Sequence, residues 1–199
     1  MITAKTNVDA YNLLISLCKR GYRQDIQRGS FAGEESVYRM QARPCMVEIK
    51  EPLNFLYLPK DCTLGMIQTY YSDYIVNDDL REHEQYTYGN RIMEQLDSVM
   101  AMLKETPNTN QASISVSQPS DIEIEHPPCL RLIDFKVFDN KLHMSSFWRS
   151  NDILEAFLIN VCGLSLLLQD VAEIAELEIG SHYYVSTGAH IYVRRGGND

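Results

Sequence analysis

Positive charge is in short supply in this sequence: 18 Lys and Arg face 27 Asp and Glu, a formal net charge of −9. That excludes a nucleic-acid duplex as partner, since binding its phosphates takes clustered cations, whereas a mononucleotide needs only a few local arginines. Cysteine is sparse and unpatterned, with five residues at irregular spacings and no CxxC pair. An odd, scattered set excludes a disulfide framework or zinc site and points to a reducing, cytoplasmic setting. No small-residue cleavage site follows the N-terminal stretch, and Asn7, Asp9 and Asn12 interrupt its apolar face. It therefore reads as an amphipathic helix ended by Gly21, not a signal peptide. No long apolar run is free of polar groups either. The most apolar one, Ile153 to Leu168, contains Glu155 and Asn160 between Asp152 and Asp170, which makes it a buried helix and no membrane span. Internal repeats and low-complexity tracts are absent.

What remains is the composition of one globular domain spanning residues 1–199, long enough to bury a core without staples. Residues 22–36 read as a polar, glycine-containing loop, and 38–58 as two extended segments broken by Pro44 and Pro52. Helical spacing recurs over 61–76, 91–104 and about 152–176. Residues 112–117 alternate as a short strand, and 118–128 form a polar connection in which Asp121-Ile122-Glu123-Ile124-Glu125 is a solvated run. Leu130–Phe138 and Leu142–Trp148 flank Asp139-Asn140-Lys141, a hairpin signal because Asp and Asn tolerate turn conformations. With a β-rich segment at 182–193, the pattern gives an α/β or α+β layered domain with a large sheet flanked by helices.

Cys129 follows Pro127 and Pro128 and heads that hairpin. Two prolines fix the backbone and remove two amide donors, so the cysteine is presented rigidly, as suits a nucleophile. Cys18, Cys45, Cys62 and Cys162 read as inert interior residues. Downstream of Cys129 come Arg149-Ser150-Asn151-Asp152, Asn160 and His190-Ile191-Tyr192, in that order. Each has a plainer reading: Arg149 and Asp152 as a helix-start ion pair, Ser150 as a cap, Asn160 as a satisfied core amide, His190 as structural. His83, His126, His143 and His182 show no ligand spacing, and no metal site is expected.

Taken together, the motifs from Pro127 to Tyr192, with Tyr88-Gly89 upstream, resemble the pyrimidine-attacking half of thymidylate synthase. The variants Tyr88-Gly89-Asn90-Arg91 and Ser186-Thr187-Gly188-Ala189 look more like the shorter archaeal-type branch. The resemblance implies a thymidylate-synthase-like fold with a large twisted mixed sheet, a homodimer, and conversion of dUMP to dTMP with 5,10-methylenetetrahydrofolate or a related reduced pterin. It makes Cys129 the nucleophile that adds to carbon 6 of the pyrimidine, since without a covalent adduct the ring is too weak a nucleophile at carbon 5. Arg149 and Ser150 would hold the phosphate, with Arg28 in a mobile loop. Arg149 is also expected to raise the thiolate fraction of Cys129 above that set by a reference pKa of about 8.5. His190 and Tyr192 would hold the deoxyribose hydroxyl, Asn160 would read the uracil edge, Tyr88 would lie near the departing proton, and Asp152 would meet the pterin.

The chain also departs from the family. Asn108-Thr109-Asn110-Gln111 stands where the family has an arginine pair, one of them donated across the dimer to the partner's phosphate, and Tyr70 stands where a proton-relaying glutamate belongs, with Asp73 the nearest carboxylate. Trp148 is the sole tryptophan, and the sequence ends at Asp199, before the family's closing C-terminal segment. These differences keep two alternatives open: a pyrimidine nucleotide hydroxymethylase, or a catalytically impaired homologue that binds nucleotide or a protein partner.

Overall fold

The computed structural model describes residues 1–27, 29–80, 82 and 84–194. The chain runs β1 (Ile2–Ala4), α1 (Asn7–Lys19), β2 (Tyr22–Asp25), β3 (Val37–Gln41), β4 (Cys45–Ile49), α2 (Leu64–Tyr70), α3 (Tyr88–Glu105) and β5 (Ser113–Ser115). It continues with β6 (Leu130–Phe138), β7 (Lys141–Trp148), β8 (Asn151–Asp152), α4 (Phe157–Ile174), β9 (Glu178–Ser186) and β10 (Ala189–Arg194). A π-helical turn, Tyr71–Ile75, extends α2, and a 3-10 turn, Pro119–Glu123, precedes β6.

The β6–β7 hairpin forms as expected, with Asp139 and Asn140 both in the left-handed region at φ 53° and 58°. That turn twists in the same sense as the strands it joins. The hairpin lies in a mixed six-stranded sheet of order β1-β4-β9-β7-β6-β5. A second, four-stranded sheet has the order β2-β3-β10-β8. Helix α4 packs on β7 and β9 and meets α1, α2 and the π turn. It is long and apolar enough to cross a membrane, yet 67% of it is buried inside the protein, as Phe157, Leu164 and Leu168 fill the core. The mixed sheets and their helices match the expected α/β class.

Three local expectations need correction. The stretch beginning at Tyr22 is strand, not loop: all four side chains of β2 are exposed, so no apolar alternation marks it. The long helix starts at Phe157 instead of near 152, because Asp152 belongs to β8 and its Oδ1 accepts from the Leu154 and Glu155 amides, stabilising a turn. The acidic run is not wholly solvated, since Asp121 is buried between Arg91 and Arg131.

The two sheets meet where the chain changes sheet twice. After β7 it passes through Arg149-Ser150 into β8, and after β9 through Thr187-Gly188 into β10. The crossings are laced together: the Thr187 amide donates to Trp148 at 3.1 Å, and the Asn151 amide to Gly188 at 3.2 Å. Gly188 permits this approach, because a Cβ there would lie 2.6 Å from the Arg149 carbonyl oxygen.

Candidate active site

Beside this seam lies a cavity of about 870 Å³, lined by Cys129, Arg149, Ser150, Asp152, Asn160, His190 and Tyr192 among others. Residues distant in sequence are thus brought together, as are Tyr88 and Tyr70. Arg28 lies outside the described residues.

Cys129 is half-buried just before β6, and its carbonyl accepts from the Arg149 amide at 3.0 Å. The Arg149 side chain turns back onto the same segment, with Nε donating to Pro128 O at 3.0 Å and Nη2 to Pro127 O at 2.5 Å. No ion pair joins it to Asp152 among the described residues. Arg149 does pull the Cys129 thiol toward its ionised form, as expected, but burial pushes the thiol above its ordinary value, and the Arg149 and Arg131 charges only partly offset this. Loss of hydration costs the thiolate more than the two neighbouring cations return.

Asn160 is 8% exposed, and its Oδ1 accepts from the Tyr70 hydroxyl at 2.6 Å. Its oxygen is thus partnered, and the residue is also part of the cavity wall. Tyr88, the first residue of α3, sets its ring edge-on to Trp148, and its hydroxyl accepts from the Leu130 amide at 3.4 Å. Burial raises the Tyr88 hydroxyl well above its ordinary value, so it is a neutral phenol.

The opposite wall is one face of the smaller sheet. Asp152 pairs in register with His190, and Tyr192 with Arg39, so the members of each pair are cross-strand neighbours. His190 Nδ1 lies 2.8 Å from Gly188 O, an acceptor, so this nitrogen carries the proton and Nε2 has a free lone pair. Burial lowers the imidazole to about 4, leaving it neutral near pH 7. Nε2 is buried and has no hydrogen-bond partner among the described residues. Burial raises the Asp152 carboxyl, with the two turn amides opposing the shift.

Arg39 was missed from the sequence, where it sits in Val37-Tyr38-Arg39-Met40 and looks like any outward strand residue. Its Nη2 donates to Gln24 at 2.6 Å, while its Nε is buried and unpaired among the described residues. With Arg149 it supplies the guanidinium groups of the cavity lining among those residues. Asp73, by contrast, is exposed, accepts from Ser72 at 2.8 Å and does not line the cavity. The set comprises a thiol, two guanidiniums, a carboxamide, a neutral imidazole acceptor, phenols and the carboxyls of Asp121, Glu125 and Asp152, which suits a small polar ligand with an anionic group for the guanidiniums and a centre open to nucleophilic attack.

Comparison with known proteins follows the same lines. The thymidylate synthase family model matches residues 35–197. A protein of Methanosarcina mazei named "Putative thymidylate synthase" is 35% identical over 133 residues, 63% of this chain and 61% of that one. Its namesake in Methanothermobacter marburgensis is 36% identical over 128 residues, covering 61% and 57%. This chain therefore spans about three fifths of the length of the curated relatives it matches. The crystal structure of thymidylate synthase from T4 phage superposes with a TM-score of 0.67 at 16% identity, covering 96% of this chain and 82% of that one. With most of its length matched by the family model, and its fold shared with a solved member, the chain belongs to the thymidylate synthase family.

Proposed function

We propose that this protein, folded as one domain, transfers a one-carbon unit to carbon 5 of a pyrimidine nucleotide, most simply dUMP to dTMP, through a covalent adduct on Cys129. The observation that carries the reading is the convergence of Cys129, Asn160 and the His190–Tyr192 pair on one cavity. Arg149, Ser150 and Arg39 take the phosphate, joined by Arg28 on the strength of the resemblance. His190 Nε2 accepts from the deoxyribose hydroxyl beside Tyr192, and Asn160 reads the base. The Cys129 sulfur bonds to carbon 6, the ring's π pair moves to carbon 5, and carbon 5 attacks the one-carbon unit. Loss of the carbon 5 proton, next to Tyr88, would expel the carrier nitrogen with its bonding pair and leave an exocyclic methylene on the ring; hydride, or water for a hydroxymethyl product, would then add to that methylene, re-forming the ring double bond as the sulfur leaves carbon 6 as thiolate. Because the resting thiol is held protonated, it must ionise as ligand fills the cavity.

The residues fit a reduced pterin such as 5,10-methylenetetrahydrofolate. Asp152 offers a half-buried carboxyl as acceptor for ring N–H and amino donors. The pterin supplies the one-carbon unit and, for a methyl product, the hydride.

A homodimer accords with the outer face of the larger sheet. Met46, Val185, Phe147 and Leu132 stand side by side across β4, β9, β7 and β6, with Met46 40% and Leu132 39% exposed. Such an apolar row suits a symmetric partner, and sedimentation as a monomer would count against it. Five free cysteines accord with the cytoplasm.

One observation favours a second reading, a homologue that binds nucleotide without turnover. Tyr70 is a neutral phenol at the position where the family has its glutamate, so it is no base there. Mass spectrometry after incubation with 5-fluoro-dUMP and methylenetetrahydrofolate, with Cys129→Ser as control, tests both. A ternary adduct lost in Cys129→Ser supports catalysis, and product analysis with dUMP then separates methyl from hydroxymethyl transfer. Nucleotide binding without adduct selects the second reading.

A further inference from the structure

The Tyr70–Asn160 hydrogen bond is built into the fold. Gly163, three residues beyond Asn160 in α4, leaves the space the Tyr70 ring fills: a Cβ there would lie 2.8 Å from Tyr70 Cδ1 and 3.1 Å from Cε1. Tyr74 stacks on Tyr70 with ring centroids 5.6 Å apart and planes 17° from parallel. The π turn Tyr71–Ile75 that follows is a widened form that occurs mostly as single turns, frequently at functional sites. Burial raises the Tyr70 hydroxyl well above its ordinary value, with Tyr88, Tyr74 and Cys129 pushing the same way. Tyr70 is therefore a hydrogen-bond donor throughout the neutral range, and the bond to Asn160 Oδ1 is its donation.

We propose that Tyr70 determines base specificity by holding the Asn160 carboxamide in one of its two orientations, so that the site accepts uracil and rejects cytosine. This rests on the pyrimidine reading above. A carboxamide has an acceptor end and a donor end, and a half-turn exchanges them. Uracil presents N3–H and O4, a donor and an acceptor; cytosine presents N3 and its 4-amino group, the reverse. A freely turning amide suits either base equally. With Tyr70 donating to Oδ1, the second lone pair of that oxygen is left for N3–H and the amide N–H for O4. The half-turn that cytosine requires brings the amino group against the Tyr70 hydroxyl, whose proton then loses its acceptor in a buried place. Leaving such a donor unpaired corresponds to roughly ten- to a hundredfold in affinity. Tyr70 is a positioning residue in this scheme, acting on the base through Asn160.

The test is calorimetric titration of dUMP and dCMP into the parent protein, Tyr70→Phe and Gly163→Ala, with each variant's thermal unfolding checked. Phenylalanine keeps the ring in its Gly163 socket and removes the hydroxyl alone, whereas alanine at 163 displaces the ring from Asn160. The parent is expected to prefer dUMP at least tenfold. Both variants should narrow that preference about tenfold, chiefly by tighter dCMP binding, which loss of packing does not produce. A preference unchanged within twofold in a folded Tyr70→Phe, with dUMP still bound, overturns the inference and leaves the pyrimidine reading standing. Binding of neither nucleotide by the parent overturns both.

Discussion

Asp121→Ala is expected to destabilise the protein by about 3–5 kcal/mol, the range for breaking a buried ion pair from one side. Asp121 is 1% exposed and accepts from Arg91 Nη2 at 2.7 Å and Nη1 at 2.9 Å, from Arg131 at 3.2 Å and from the Gln118 amide at 3.0 Å. Alanine leaves the Arg91 guanidinium, 5% exposed, with Val116 O at 2.7 Å and the face of Tyr86 as its remaining neighbours. The loss is then chiefly the desolvation of an uncompensated cation. Arg91→Met combined with Asp121→Ala removes both charges and should recover half or more of the deficit. Hydrogen bonding from Arg91 lowers the Asp121 carboxyl below its ordinary value. Its contribution is therefore complete above the unfolded pKa of about 3.9 and is lost as pH falls through the lower folded value. Urea unfolding at pH 7 and below pH 3 measures both features. A deficit under about 1 kcal/mol at pH 7, or one that persists undiminished in acid, refutes the reasoning. The connection from Asp121 leads to Pro127-Pro128-Cys129, so the variant should also alkylate faster at Cys129.

Three further outcomes are expected. Alkylation of Cys129 by iodoacetamide should keep rising with pH beyond about 8.5, because burial raises its thiol; Arg149→Gln should slow the neutral reaction severalfold, and a plateau below pH 8 would contradict this. His182 and His190 are lowered by burial to about 3 and about 4. Their contribution is complete above the unfolded value near 6.5 and declines as pH falls toward those folded values, so melting temperature should drop between pH 6.5 and 4; a flat profile refutes it. Arg39→Gln should weaken dUMP binding about tenfold and leave deoxyuridine binding unchanged, as calorimetry can measure, since it removes a charge-assisted contact to phosphate alone.

Legibility in the sequence followed the range of the forces involved. Asp139 and Asn140 specify a turn by their own backbone preferences, and the two prolines before Cys129 fix its presentation locally, so the hairpin and the placement of Cys129 at its head could be read directly. β2 could not, because an edge strand with both faces exposed carries no alternation. The start of α4 was misplaced because Asp152 is drawn into a strand by β10, far along the chain. Asp121 looked solvated because its partner Arg91 lies 30 positions away. Arg39 carries no signal of its own: it becomes a cavity cation only once β3 pairs with β10 and sets it beside Tyr192.

The same pairing explains why the site does not depend on flexible side chains finding one another. Arg149 and His190 approach because β7 and β9 run parallel, leave the larger sheet at the same level, with Trp148 opposite Ser186, and enter the smaller one side by side. Gly188 makes that exit narrow enough for its carbonyl to accept from both the Asn151 amide and His190 Nδ1. One backbone oxygen thus sets the strand crossing and the imidazole tautomer together. A side chain at position 188 would push the Arg149 carbonyl away and disturb both, which makes the free lone pair of His190 Nε2 a consequence of sheet topology.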